Sequence, residues 1–170
     1  MAADRAPAIT RGIDRLAAWA LSLGCVALAS MAAVQGWQVF ARYVLNDSPG
    51  WTEPVALLLL NTVMMLGAAI GVRLGSHFRF GLLAEKLPAA GQRALHAFTH
   101  LLIAAVGFVL AVWGARLAVD GWDVALAGTG LPQGAMLVPV CLGGALMALF
   151  AIEHIVLGPP PPAPVVAEDA

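Results

Sequence analysis

This sequence has few charged side chains compared with an ordinary globular protein. Asp, Glu, Lys and Arg make up only 11% of the residues, whereas soluble domains carry about 25%. The formal net charge is −1, which gives no reason to expect a nucleic acid as a partner. Apolar residues take the place of the missing charge and account for 61% of the chain. This composition argues against a soluble domain and indicates a protein that works in a membrane.

Cysteine pairs and catalytic motifs are also missing. The two cysteines, Cys25 and Cys141, form no Cys-x-x-Cys motif, which argues against a membrane thiol oxidoreductase. They lie in different apolar segments and at different predicted depths, so we expect two small packing residues rather than a disulfide. The sequence contains no phosphate-binding glycine loop, no nucleophile elbow and no carboxylate pair within an apolar segment. We therefore predict that the chain is not an enzyme and carries no cofactor.

Four long apolar segments are what the sequence does contain. None of them includes an Asp, Glu, Lys or Arg, and they run over Leu16–Ala41, Pro54–Val72, roughly Leu95–Ala115 and Met136–Ile152. About 20 helical residues cross a hydrocarbon core about 30 Å thick. The first segment exceeds the apolar core of a cleaved signal, which has about 7–15 residues, so we interpret it as a retained helix. The sequence predicts an all-α integral membrane four-helix protein, with residues 1–157 as a single membrane domain.

The basic residues predict that both termini are cytoplasmic. Seven of the nine Lys and Arg residues fall in the N-terminal segment or between the second and third apolar segments: Arg5, Arg11, Arg15, Arg73, Arg79, Lys86 and Arg93. Loops that are rich in such residues stay in the cytoplasm. Arg42 and Arg116 alone lie on the other side, where most of the tryptophans also fall, as expected near an interface.

The connection between the second and third segments predicts a further helix. Apolar residues from Phe78 to Leu87 alternate there with Arg79, Glu85 and Lys86 before Pro88. This pattern indicates a short helix lying in the plane of the membrane interface, while a solvated loop stays open as the alternative. The tail, residues 158–170, contains a proline run that cannot sustain a helix, so we expect a disordered cytoplasmic segment.

The densest polar cluster joins the first two apolar segments. Arg42 ends the first segment and Glu53 opens the second, with Asn46 and Trp51 between them. Because a short hairpin brings its ends to one level, we predict that Arg42 and Glu53 form the polar centre of a corner that docks a partner. The alternative is an ordinary capped hairpin, in which Arg42 only extends to the membrane surface. Thr52 is the predicted cap of the second helix.

Three polar or small residues inside the second apolar segment are candidates for contacts between helices: Asn61, Gly67 and Gly71. Asn61 needs a hydrogen-bond partner, which we expect on another helix. Gly67 and Gly71 form a small-x-x-x-small pair, and packing within this chain and contact with another subunit are both open.

Three histidines lie near the predicted cytoplasmic side. His96 and His100 are four residues apart, and His154 follows the fourth segment. Ligation of a metal or haem is one interpretation. Since the pair His96 and His100 has no obvious third ligand, we prefer histidines that face lipid headgroups.

An ordered set of motifs extends from Arg15 to His154. It consists of Phe40-Ala41-Arg42-Tyr43-Val44-Leu45-Asn46, Trp51-Thr52-Glu53, Leu66-Gly67-Ala68-Ala69, Arg73, Gly75-Ser76-His77, Leu87-Pro88, Gly130-Leu131-Pro132, Pro139 and Leu146-Met147-Ala148-Leu149. On a four-helix frame this set resembles the small membrane subunit of tripartite ATP-independent periplasmic (TRAP) transporters, of the DctQ type. The chain departs from that family at Pro54, where a second acid is frequent, and at Gly81, where an aspartate is frequent.

The resemblance implies a role in the bacterial inner membrane. In such systems a large membrane subunit holds the substrate and sodium sites and moves like an elevator, and a periplasmic substrate-binding protein delivers an organic acid. This chain would be a scaffold that anchors the large subunit and helps to dock the binding protein. The candidate contacts with these partners, or with membrane lipid, are Arg42, Asn46, Trp51, Glu53, Asn61, Gly67, Gly71 and Arg73.

Two alternatives belong to other classes. The first is a haem-bearing membrane anchor of a redox enzyme, which would use His96, His100 and His154 and would show a visible absorption spectrum. The second is a free-standing four-helix membrane protein without a transport role. Co-purification with a large multi-spanning partner, or a neighbouring gene that encodes one, separates it from the scaffold.

Overall fold

Four long helices make up most of the structure, a computed structural model that describes residues 6–47, 49–75 and 89–157. They are α1 (Ala6–Tyr43), α2 (Thr52–Arg73), α3 (Ala89–Asp120) and α4 (Val138–Leu157). A short 3-10 helix, Gln133–Leu137, leads into α4. The described residues form no strand, and one isolated bridge joins Ala125 to Pro132. The all-α prediction is confirmed.

Four stretches of the described residues are long and apolar enough to cross a membrane, and the fourth combines the 3-10 helix with α4. These stretches are Thr10–Tyr43, Thr52–Arg73, Ala94–Asp120 and Gln133–Val156, and they contain the four predicted segments. The 38 residues of α1 extend about 57 Å at about 1.5 Å each, which is longer than a hydrocarbon core of about 30 Å. The interfacial helix predicted over residues 78–88 and the tail, residues 158–170, lie outside the described residues.

The helices lie side by side in the order α1, α2, α4, α3. Leu66 of α2 faces α1, because a Cβ built on Gly24 of α1 would lie 4.0 Å from the Leu66 Cβ. Met65 faces α4, because a Cβ built on Gly143 of α4 would lie only 2.6 Å from the Met65 Cβ. Successive helical residues point about 100° apart, so α1 and α4 occupy two adjacent sides of α2. The described residues leave the remaining side of α2 uncovered.

Glycines let α3 and α4 approach closely. A Cβ on Gly107 of α3 would lie 2.7 Å from Gly144 O and from Ala148 N. Gly114, seven residues further along α3, faces Cys141 Sγ in the same way, and Gly121 faces Gly134. The seven-residue spacing keeps small residues on one side of α3, and small residues are what permit close helix contact in a membrane.

The contact between α1 and α2 uses a narrow stripe of α1. Its buried residues are Ala20, Ala27 and Ala41. Half-buried Ala17 and Gly24 continue the pattern, so that residues 17, 20, 24 and 27 follow one another at spacings of three and four. Most larger side chains of α1 are exposed, for instance Trp19, Leu21, Val26 and Trp37. The first helix therefore lies at an edge of the row and touches the rest of the chain along one side.

The hydrophobic core lies at the end of the row that carries Arg73, called the Arg73 end below; the opposite end is called the Trp51 end. Phe150 and Ala151 of α4 are fully buried there against Ala69 and Val72 of α2. Half-buried side chains from α1 and α3 complete the cluster: Ile13, Ala17, Ile103 and Ala104. All four helices therefore contribute to one core at this end.

We expect Gly107→Ala to lower the thermal unfolding midpoint of the detergent-purified chain. The added Cβ would press on backbone atoms of α4, and overpacking costs about 1–3 kcal/mol. Gly36→Ala is the matched control, because nothing lies within 4 Å of a Cβ at Gly36 and alanine favours a helix by about 1 kcal/mol. Equal midpoints for the two variants would contradict the close crossing of α3 and α4.

The orientation of the row is a separate prediction. Reporter fusions at Asp47 and Asp123 should read out as periplasmic, and fusions at Glu85 and Ala163 as cytoplasmic, because the basic residues favour that topology. Alkaline phosphatase and green fluorescent protein fusions in the same cells measure both outcomes. A periplasmic signal at Glu85 would reverse the assigned topology.

Candidate functional site

Arg73, the last residue of α2, connects three helices at the Arg73 end. Its Nη1 donates a hydrogen bond of 2.8 Å to Ile13 O of α1, and its Nη2 forms a hydrogen-bonded ion pair with Asp14 Oδ1. The same Nη2 lies 3.7 Å from Glu153 Oε1 of α4. The guanidinium carbon is also 5.5 Å from the centre of the Phe150 ring, within reach of a cation–π interaction.

Glu153 is the member of this cluster that depends most on Arg73. Its side chain is only 10% exposed, against 59% for Asp14. Its Oε2 is buried and has no hydrogen-bond partner within the part of the chain that the structure describes. Because water does not compensate a buried carboxylate, the nearby guanidinium carries that task. The Asp14 pair is largely solvated and contributes less.

Histidines extend the cluster towards α3. His154 Nε2 donates to Arg73 O over 2.9 Å, and His100 Nδ1 donates to His96 O over 2.9 Å. A carbonyl oxygen only accepts, so each of these ring nitrogens carries the proton. The ring centres of His100 and His154 are 4.9 Å apart, and those of His96 and His100 are 4.0 Å apart. The rings therefore pack on one another between α3 and α4.

The prediction that these histidines face lipid headgroups is wrong for His100 and His154. They are 9% and 5% exposed, because the close crossing of α3 and α4 places them between the two helices. Nor do the described residues include a group of three His, Cys, Asp or Glu side chains that could hold a metal ion. His154 Nε2 is already engaged with a carbonyl. The arrangement can hold helices together, and it offers no evident metal site.

The corner at the Trp51 end has a different construction from the predicted one. Arg42 and Glu53 are both exposed, and no hydrogen bond or ion pair joins them, so the predicted pairing is wrong within this chain. The physical reason is that a solvated ion pair contributes only about 0–1 kcal/mol, too little to set the course of the hairpin. Backbone geometry sets it instead, with Asn46 at φ 54° and Asp47 N donating to Ala41 O over 3.1 Å.

Thr52 stabilises the corner through a side-chain hydrogen bond. Its side chain is fully buried, and its Oγ1 donates to Pro49 O over 2.9 Å. The predicted capping bond to the backbone of α2 is therefore not made, although Pro54 does lie in the first turn of that helix. This construction leaves Arg42, Asn46, Trp51 and Glu53 facing outwards.

The connection between α3 and α4 folds over the same end. Leu126 N donates to Leu131 O over 2.7 Å, and Gln133 N donates to Val124 O over 2.8 Å. Gly128, at φ 86°, touches Gly50 of the first connection; a Cβ there would lie 2.7 Å from Gly50 O. The two connections enclose a cleft of about 340 Å³ beside the start of α2, lined by Gly50, Glu53, Pro54, Leu57, Leu126, Ala127 and Met136.

The structure gives opposite results for the predictions made at Asn61 and at Gly67. The Asn61 amide donates to Met136 O over 2.7 Å, which confirms the prediction of a partner on another element and ties α2 to the 3-10 helix. Gly67 is exposed, and no atom of the described residues lies within 4 Å of a Cβ built on it. The described part of the chain therefore does not pack against Gly67. Gly71 is half-buried. The role of the candidate residues as partner contacts stays a prediction.

Sequence reasoning missed two functional features. It did not connect Asp14 and Glu153 with Arg73, although Glu153 is the only acidic residue between Asp123 and Glu168, which is a usable signal. It also missed the glycines of α3, although their seven-residue spacing is visible in the sequence.

The four spans, together with a polar cluster that is engaged inside the chain, define a multi-pass helical membrane subunit. The chain belongs to the family described as tripartite ATP-independent periplasmic transporters, DctQ component, which it matches over residues 31–158. The match extends from the middle of α1 past the end of α4. The protein is therefore a transporter component of the bacterial inner membrane, not an enzyme, and a haem-bearing anchor is not favoured.

Two relatives illustrate this membership. The sialic acid TRAP transporter small permease protein of Vibrio cholerae is 27% identical over 129 residues, which cover 75% of this chain and 74% of that protein. The ectoine TRAP transporter small permease protein of Halomonas elongata is 29% identical over 111 residues, which cover 65% of this chain and 56% of that protein.

We expect Arg73→Met to destabilise the detergent-purified chain far more than Asp14→Asn. Loss of the guanidinium strands buried Glu153, at a cost of about 3–5 kcal/mol, whereas an exposed pair contributes about 0–1 kcal/mol. Denaturant titration followed by circular dichroism measures the difference. The double variant Arg73→Met/Glu153→Met should regain part of the loss, since no buried charge is left. Equal stabilities for Arg73→Met and Asp14→Asn would show that the cluster does not hold the helices together.

Proposed function

We propose that this chain is a scaffold in a TRAP transporter. It anchors the large membrane subunit and helps to dock the periplasmic substrate-binding protein during sodium-coupled uptake of an organic acid. The observation that carries the proposal is the family match over residues 31–158. The sodium and substrate sites belong to the large subunit, and this chain has no cofactor of its own.

The contacts of the buried charges support a scaffold. Arg73 and Glu153, the charged residues that lie largely buried beside the core, are paired with each other and with α1. An anionic substrate inside a membrane needs a cation or the start of a helix, and the Arg73 guanidinium is already occupied. Bonds from Arg73 to α1 and α4 hold three helices in one arrangement. Such a fixed body suits a partner that must move against something static.

The surface at the Trp51 end supports docking of a soluble partner. Arg42, Asn46, Trp51 and Glu53 are all exposed there, on a corner fixed by buried Thr52. A polar surface on a rigid corner gives a soluble partner charged and aromatic groups to bind without reorganising this chain.

The names of the relatives support an organic acid as the transported substrate. One relative is named for sialic acid and the other for ectoine, and both compounds carry a carboxylate. The two compounds differ in the rest of their structure, so the carboxylate is the feature that we carry over to this transporter.

Uptake should fail without this chain, even when the large subunit and the binding protein are both present. Proteoliposomes with all three components, a sodium gradient and a radiolabelled organic acid measure transport, and proteoliposomes that lack only this chain should fall to background. Calorimetry of the isolated chain against the same acid should show no binding. Equal uptake with and without the chain would reduce it to an accessory, and saturable binding to the isolated chain would contradict the scaffold.

A further inference from the structure

One side of α2 is left uncovered by the rest of the described chain. Leu57, Leu60, Met64 and Gly67 are exposed at spacings of three, four and three residues. Glu53 continues the same series by one step towards the Trp51 end and is exposed as well. We call these five residues the α2 stripe. A repeat of about 3.5 residues is the pattern by which one helix packs along another.

The α2 stripe lies away from both neighbours of α2. Met65 faces α4 and Leu66 faces α1. Since successive residues point about 100° apart, the stripe lies on the opposite side of α2, which neither helix covers. A further helix can therefore lie along α2 without displacing α1 or α4.

Gly67 interrupts the row of longer side chains in the stripe. Nothing lies within 4 Å of a Cβ built on it, and a glycine in a helix costs about 1 kcal/mol relative to alanine. Lipid tails have no use for such an opening, whereas a helix with a small residue opposite Gly67 can approach closely there.

The exposed faces of α4 and α1 have a different character. On α4 the exposed residues Leu142, Ala145, Leu149 and Ile152 are all aliphatic, which suits lipid. The exposed side of α1 takes in most of its circumference and carries Trp19 and Trp37, and tryptophan is enriched at membrane interfaces. Gly36 of α1 is open as well. The α2 stripe differs from both faces because its open glycine is combined with an acid that lines the cleft at the Trp51 end.

Glu53 indicates that the partner carries a positive charge at this level. Glu53 is one of the residues that line the cleft at the Trp51 end, together with apolar residues such as Leu57 and Met136. Arg42 does not neutralise it. A Lys or Arg that entered this cleft would meet the carboxylate in surroundings drier than bulk water, where an ion pair is stronger.

We propose that the α2 stripe binds one transmembrane helix of the large permease subunit. That helix places a small residue against Gly67 and a Lys or Arg against Glu53. The inference rests on the proposed function and adds to it the surface and the kind of helix. A lipid-facing role and a second copy of this chain are the other occupants that the experiments distinguish.

The first experiment maps the contact by photo-crosslinking in membranes that contain both subunits. Benzoylphenylalanine is placed at Met64 on the α2 stripe or at Leu142 on α4, both of them exposed. The Met64 position should give an adduct with the size of both subunits, and the Leu142 position should give little or none. An adduct from Leu142 alone, or from Met64 to a second copy of this chain, would overturn the proposal.

The second experiment fills the opening. Gly67→Leu should lower recovery of the large subunit on the tagged small subunit about tenfold, which corresponds to about 1.4 kcal/mol of binding free energy. Ala145→Leu is the matched control, since it is exposed on α4 and lies at a similar depth because Met65 meets Gly143. Size-exclusion chromatography of each variant alone checks that it folds. Equal recovery with both variants would place the contact elsewhere.

Charge at Glu53 is tested in the same recovery assay. Glu53→Gln should lower recovery and remove its dependence on salt, while Asp47→Gln, at a nearby exposed acid, should change neither. A Glu53→Gln complex that is unchanged would overturn the charged part of the proposal. If the unmodified chain does not recover the large subunit at all, the proposed function fails, and that result is distinct from failure of the α2 stripe.

Discussion

The close crossing of α3 and α4 at Gly107 and Gly144 is the contact on which the other contacts depend. Lipid tails are as apolar as the side chains, so helices in a membrane gain little from burying apolar surface against one another. Close packing and a few polar bonds have to hold them instead. With no side chains between the backbones, α4 comes close enough to bring His154 beside His100.

The position of α4 allows bonds that connect it to α2, and α2 in turn to α1. His154 bonds the carbonyl of Arg73, and Arg73 in turn bonds the backbone of α1 at Ile13. Glu153 lies in the same turn of α4 and requires the guanidinium as its counter-ion, because its desolvated charge would otherwise be uncompensated. One packed crossing in the middle of α3 and one cation at the Arg73 end therefore connect the four helices. The Trp51 end is held separately, through Asn61 and the buried Thr52.

The row leaves much of its apolar surface to lipid or to other subunits. α1 touches its neighbour through a stripe of mainly small residues, and the described part of the chain covers α2 on two sides. A chain built this way holds its own helices in place yet keeps open faces inside the membrane, which agrees with the proposed scaffold. The polar residues of the corner, no longer needed to hold the hairpin, are free to meet a partner outside the membrane.

The sequence by itself determined the four spans and the need of Asn61 for a partner. These follow from local composition set against a fixed membrane thickness, so no knowledge of packing is needed. Which sides meet was decided only by the tertiary structure. It paired Arg73 with Asp14 and Glu153, turned His100 and His154 inwards, left Gly67 open and kept Arg42 apart from Glu53. The physical reason is that a residue's surroundings depend on the crossing of helices distant in the chain, and helical period alone does not specify which neighbour covers which face.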